Sequence, residues 1–304
     1  MATADTLDET LRRWNAKDAS LQVIDLSGNS IGDEDVKKLA ATLAHGPFPT
    51  LQGIYLCENN IGAEGAKALA QALEHGSFPA LEWIKLVDNH IGDEGATAIA
   101  GALERGSFAG LQIIRLGWNH IGDQGAAALA GALECGSFVA LQFIGLDGNR
   151  IGDEGARTLA GALERGSFPK LQSIWLDDNS IGDEGAMALA QALERGSFPT
   201  LELIGLGCNR IGDAGATALA GALERSSFPA LQNIWLSGNN IRVEMLKQVH
   251  RAVVCMHCRI RLLAFLGAER GLAPVTPVRR FLWRDGDRAA MDRVARFVMA
   301  AYDR

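Results

Sequence analysis

One unit of 30 residues, repeated without an insertion, constrains this chain more than any other feature. The copy at Leu141–Lys170 reads LQFIGLDGNRIGDEGARTLAGALERGSFPK. The same register opens at Leu21, Leu51, Leu81, Leu111, Leu171, Leu201 and Leu231. A unit of this size cannot bury an apolar face alone and relies on its neighbours, so the period predicts a stacked solenoid. Length by itself would suggest about two domains. The repeat argues instead for one elongated array, eight repeats over 21–240, with an N-terminal capping helix in 1–20 and a helical C-terminal cap in 241–304.

Each unit opens with apolar residues at positions 1, 4 and 6, as in Leu141, Ile144 and Leu146. That pattern predicts a short strand with positions 3, 5 and 7 facing solvent. Asn recurs at position 9 in all eight copies, from Asn29 to Asn239. An amide there can bond backbone groups leaving the strand. The segment IGDEGAxALAxALE then predicts a helix, with Asp33, Asp93, Asp123, Asp153, Asp183 and Asp213 placed to cap it and small residues on the face toward the sheet. Gly46, Gly76, Gly106, Gly136, Gly166 and Gly196 end the helices as left-handed caps in this reading, with Ser226 in the seventh copy. Phe48, Phe78, Phe108, Phe138, Phe168, Phe198 and Phe228 follow at fixed offset and predict a buried spine.

Strand, crossover helix and parallel strand, repeated, give a parallel sheet with helices on one side. Strands lie ~4.8 Å apart whereas helices need ~8–10 Å, so the array curves with the strands inside. The expected fold class is thus α/β, a horseshoe with a concave parallel sheet and convex helices. LxxLxLxxNxIGDEGAxALAxAL resembles the leucine-rich repeat of the ribonuclease-inhibitor type, also found in NOD-like receptors and Ran GTPase-activating proteins. The resemblance covers about Leu21–Ile241 and implies a protein that binds other proteins. The unit is longer than is usual for that type, and Ile fills several Leu slots. No G-x-x-x-x-G-K-[ST] occurs, so the nucleotide-binding signature of NOD-like receptors is missing.

Outside the repeats, Thr6–Lys17 carries Leu7, Leu11 and Trp14 at helical spacing, which suits a capping helix. After Asn240 the sequence IRVEMLKQVHRAVVCMHCRIRLLAFLG reads as a longer closing helix, and Met291, Val294, Phe297 and Val298 make a second apolar stripe. The formal net charge is −7. From Arg242 onward 13 Lys+Arg and 6 Asp+Glu give +7, leaving −14 for the rest. Such an acidic array disfavours nucleic acid as a partner. The N-terminus lacks a signal-peptide core and no run approaches a membrane span, so we expect a cytoplasmic protein without membrane contact. The scattered cysteines Cys57, Cys135 and Cys208 fit no disulfide framework. The pattern fixes no oligomeric state.

Comparing the copies separates scaffold from the rest. Position 3 runs Val23, Gly53, Trp83, Ile113, Phe143, Ser173, Leu203, Asn233, and position 5 runs Asp25, Tyr55, Lys85, Arg115, Gly145, Trp175, Gly205, Trp235. These columns share almost nothing while the rest of the unit is nearly fixed. Trp83, Trp118, Trp175 and Trp235 fall in slots where glycine also suffices, and exposed aromatics beside Arg make binding hot spots. The alternative is that the rings pack on one another and stabilise the sheet. Like charges adjoin at Lys85 and Arg115 and at Asp147 and Asp177, which predicts a basic and an acidic spot flanking an aromatic patch. The candidate partner-binding set is therefore Tyr55, Trp83, Lys85, Ile113, Arg115, Trp118, Phe143, Asp147, Trp175, Asp177 and Trp235, facing a protein or peptide.

His90 and His120, with Asp88 nearby, are a weaker candidate for a surface metal site, as is Cys255 with Cys258. No cofactor is expected. No nucleophile with a base and no phosphate loop is present, so the expectation is a non-enzymatic scaffold. The alternative, from the resemblance, is a regulator of enzyme activity, either a GTPase activator or an enzyme inhibitor.

Overall fold

The computed structural model describes residues 22–44, 48–106, 108–136, 138–226 and 228–249, together with Leu7 and Ala252. The chain divides into two units, Met1–Val253 and Val254–Arg304. The second unit, and with it Cys255 with Cys258, lies outside the described residues. So does the expected N-terminal capping helix, Leu7 apart. Of the expected C-terminal cap, 241–249 and Ala252 are described, and 243–249 are helical.

Within the first unit strands and helices alternate as the period requires. The strands are β1 (Val23–Asp25), β2 (Gly53–Tyr55), β3 (Trp83–Lys85), β4 (Ile113–Arg115), β5 (Phe143–Gly145), β6 (Ser173–Trp175), β7 (Leu203–Gly205) and β8 (Asn233–Trp235). Between them run α1 (Asp33–Leu43), α2 (Ala63–His75), α3 (Gly92–Arg105), α4 (Asp123–Cys135), α5 (Asp153–Arg165), α6 (Asp183–Arg195) and α7 (Asp213–Arg225). All strands pair in parallel in one open sheet, in chain order from β1 to β8. Each residue faces its counterpart one unit on, as Ile114 faces Ile144. This is the α/β solenoid expected from the period, with the parallel sheet that the leucine-rich-repeat resemblance implies.

Its core is one continuous column. Leu or Ile at positions 1, 4, 6 and 11 and the Ala and Leu stripe of each helix are buried from the second copy to the seventh, as Leu141, Ile144, Leu146, Ile151, Ala156 and Leu159 show for one copy. The phenylalanine spine is buried in all seven copies, and Phe48 stacks on Phe78 with centroids 5.2 Å apart. On the helix side, Arg105, Arg165 and Arg225 each bond a glutamate of the preceding helix, Glu74, Glu134 and Glu194. Cys135 occupies the arginine slot of α4 and is exposed.

Two polar side chains tie neighbouring units, in opposite directions. Asn149 reaches back: its Oδ1 accepts from the Ile121 and Asn119 amides at 2.9 and 3.0 Å, while its Nδ2 donates to the Leu116 and Leu146 carbonyls at 3.0 Å each. Asp153 reaches forward. Its Oδ1 accepts from the Gly182 and Gly185 amides at 2.7 and 2.8 Å, at the start of α6. The aspartates therefore cap the helix of the next unit and not their own, whose N-caps carry no side-chain bond. The reason is geometric: Asp153 is the first residue of α5, past its own N-cap, Gly152, and its side chain faces the neighbouring N-terminus.

The second copy has Ala63 where the other copies up to the seventh have Asp. The helix that should receive its cap, α3, starts one residue early, with Gly92 in the left-handed region at φ +62°. The corresponding Gly122, Gly152, Gly182 and Gly212 lie near φ −100°.

The helix-ending glycines also differ from expectation, since Gly166 sits at φ −74°, ψ 170°, an extended conformation. Its glycine is set by crowding: a Cβ there would lie 2.7 Å from Phe168 Cζ and 2.8 Å from the Ala162 carbonyl oxygen. The recurring left-handed position is instead position 8, where Gly28, Glu58, Asp88, Trp118, Gly148, Asp178, Cys208 and Gly238 all have positive φ.

Candidate functional site

The strands place the variable columns side by side on the outer face of the sheet. In the position 5 ladder, Gly145, Trp175, Gly205 and Trp235 alternate on β5–β8. The glycines leave the volume the indoles fill: Trp175 and Trp235 have centroids 6.0 Å apart across β7, and Phe143 meets Trp175 edge-on at 5.1 Å. Toward the other end Tyr55 and Trp83 tilt together at 6.4 Å over Gly53.

The cations are interleaved with these rings. Lys85 Nζ stands 4.5 Å from the Tyr55 centroid. Arg115 Cζ lies 5.0 Å from Phe143 and 5.3 Å from Trp175. A cation over an aromatic face is attracted by the ring quadrupole, which offsets the repulsion between the ladder partners Lys85 and Arg115. The basic spot is thus part of the aromatic cluster and does not flank it.

Burial corrects a second expectation. Positions 5 and 7 do not all face solvent: Arg115 and Trp175 are each 4% exposed, Asp147 6% and Asp177 8%. The aromatic side chains are large enough to roof one another, so the middle of the face is a packed second layer. What remains accessible is its edge. Tyr55, Trp83, Lys85, Ile113, Phe143 and Trp235 are half-buried, and Trp118 is exposed at 39%. Trp118 holds φ +56° and lays its ring against Gly148, whose own left-handed backbone leaves no room for a Cβ. Of the expected set, then, Arg115, Asp147, Trp175 and Asp177 build the layer, and the rest present its surface.

The acidic side is equally specific. Asp177 Oδ1 accepts from the Gly207 amide at 2.7 Å, and a Cβ on Gly205 would collide with Asp177 Oδ2. Burial, with Asp147 and Asp178 adding negative charge, pushes the Asp177 carboxyl up to about 7 against the Gly207 bond. Desolvation also raises Asp178 and the Cys208 thiol, the latter with help from Asp178 and Asp177. The glycines at 53, 145 and 205 are read from sequence as slots where the scaffold needs no side chain, whereas the role of Gly207 is not foreseen there. The signal at Gly145 and Gly205 is the alternation of Gly with bulky residues in one ladder column.

His90 and His120 lie face to face, centroids 5.5 Å apart and planes within 7°. Among the described residues no three His, Cys, Asp or Glu are arranged to hold a metal ion, so Asp88 does not complete a site with them. Among the same residues no helix is long and apolar enough to cross a membrane.

A family model described as Leucine Rich repeat matches residues 17–40, 49–70, 81–100, 111–130, 141–160, 169–190 and 199–220. Among the solved structures that match is "Leiomodin-1 Actin-Binding Site 2 (ABS2)", with 16% identity, a TM-score of 0.44 and coverage of 57% of this chain and 94% of that one. No curated protein matches the chain.

Proposed function

The chain is a leucine-rich repeat protein, and from that premise we propose that it is a recognition scaffold of the ribonuclease-inhibitor type, binding a protein or peptide on its sheet face without catalysis. Leucine-rich repeat proteins generally bind other proteins. The observation that carries the reading to this face is Trp118. Gly28, Gly148 and Gly238 fill the same left-handed slot without strain, yet here an indole occupies it and stands 39% exposed beside the aromatic layer. A non-glycine residue in that region costs about 1 kcal/mol or more, and such strain collects at binding sites. Half-exposed Trp83 and Tyr55 continue the surface, with Lys85 between them and Arg115.

The test selects a displayed random-peptide library on the full chain, then measures the selected peptides against Trp83→Ala combined with Trp118→Ala. Both side chains lie outside the buried layer, so the variant is expected to unfold at nearly the wild-type midpoint. Binding at least about tenfold weaker is expected, equivalent to about 1.4 kcal/mol. Unchanged binding by a folded variant overturns the reading. Trp175→Ala is a poor probe, because a side chain 4% exposed reports on packing.

A further inference from the structure

Across four consecutive strands the sheet face changes sign. Lys85 stands on β3 and Arg115 on β4, while Asp147 follows β5 and Asp177 and Asp178 follow β6. The inner two side chains border the same space: Arg115 Cγ and Asp147 Oδ1 lie 3.6 and 3.5 Å from the point where a Gly145 side chain would begin. The outer two are differently placed. Lys85 rests over the Tyr55 ring with no carboxylate in ion-pair reach among the described residues. Asp178 is exposed, held outward by a left-handed backbone at φ +52°, and has no cation in ion-pair reach among the same residues. Between them the accessible surface is apolar, with Ile113 and Phe143 side by side in the ladder.

Three strand steps and three residues along the strand separate Lys85 from Asp178 by about 17 Å. An extended chain spans that distance in about five residues. Resting on the reading of the sheet face as a binding surface, we infer that its occupant is an extended peptide segment bearing one acidic and one basic side chain about five residues apart. The acidic group pairs with Lys85, the basic group with Asp178, and an apolar side chain between them sits on Ile113 and Phe143. Since Lys85 and Asp178 offer opposite charges at that separation, either chain direction serves, and what matters is the presence of both signs at that spacing.

The experiment uses the full chain and end-blocked hexapeptide libraries, randomised inside, whose terminal positions are Asp and Lys, Lys and Lys, Asp and Asp, or Asn and Gln. The formal charge of −7 attracts doubly basic peptides at long range. Preference for the mixed-charge library, by about fivefold over each of the others, is therefore a local effect and is the result expected. Lys85→Glu makes both outer charges acidic and should transfer the preference to the Lys and Lys library. Asp178→Asn, which keeps a residue tolerant of the left-handed backbone, should erase the advantage of the basic end. The same ranking in wild type and Lys85→Glu, or no binding of any library, overturns the inference. If charge is ignored but binding still falls with Trp83→Ala and Trp118→Ala, the charge pattern fails and the sheet-face reading stands. If binding also ignores those two substitutions, both fail.

Discussion

The Asp153 carboxylate accepts the Gly182 amide proton at 2.7 Å, across the boundary between two units. Asp153→Ala removes that acceptor and the bond from Gly185, leaving two amides of the α6 N-terminus without it. Loss of such a cap costs about 1–2 kcal/mol, read as a lower denaturant midpoint. Ala63→Asp is the reciprocal change. It offers an acceptor to the start of α3, lets Gly92 leave φ +62° for the conformation of its counterparts, and should raise the unfolding free energy by about 1 kcal/mol, read as a higher midpoint.

Asn149 is expected to be far less replaceable than any surface residue. Asn149→Ala strands the buried Ile121 and Asn119 amides; the Leu116 and Leu146 carbonyls lose one donor each but keep Asn119 and Asn179. Each unsatisfied buried group costs about 1–3 kcal/mol, so a loss of about 3 kcal/mol or more is expected in equilibrium unfolding.

Asp177 makes stability depend on pH in an unusual direction for a carboxylate. Its native value of about 7 lies above the roughly 3.9 of an unfolded aspartate, so between these values the folded protein holds a proton that the unfolded chain has lost. The associated stability is complete below about pH 4 and lost as pH rises through 7. Asp177→Asn keeps the shape without the charge. It should exceed wild type by about 2–4 kcal/mol at pH 8, and the difference should close toward pH 4, as measured by urea unfolding of both proteins. A constant difference across that range contradicts the assignment.

Gly205 and Asp177 are expected to be strongly non-additive. Gly205→Ala drives a methyl into Asp177 Oδ2, and overpacking of this kind costs about 1–3 kcal/mol. In an Asp177→Ser background the methyl meets a shorter side chain, so most of that loss should vanish in a double-mutant cycle.

Strand, helix, asparagine and phenylalanine positions were legible because each is dictated by a contact that recurs once per unit. The aspartate was legible as a cap but not as whose cap. In a repeat, Gly152 and Gly182 are the same letter 30 residues apart, and periodicity cannot tell a bond within a unit from one to its neighbour. Gly166 was read as a handedness requirement because glycine usually marks one, whereas here the Phe168 ring excludes a Cβ. The site was legible as a column of non-repeating residues, yet not as a surface. Period two says which side of the strand Arg115 and Trp175 leave from, and only the size and tilt of Phe143 and Trp235 decide that they end up covered.

The alanine at position 63 gives the array a seam. Every other joint from the first unit to the last carries a forward aspartate, and the joint between the second and third units alone must hold without one. In a solenoid each interface contributes nearly independently, so the missing cap is a local loss at that joint, which the Lys67–Glu94 and Arg105–Glu74 pairs also cross. Tyr55 stands on one side of that seam and Trp83 with Lys85 on the other. Under the proposed binding mode, a ligand laid across them would brace the joint, and its occupancy would rise and fall with the integrity of the first two units.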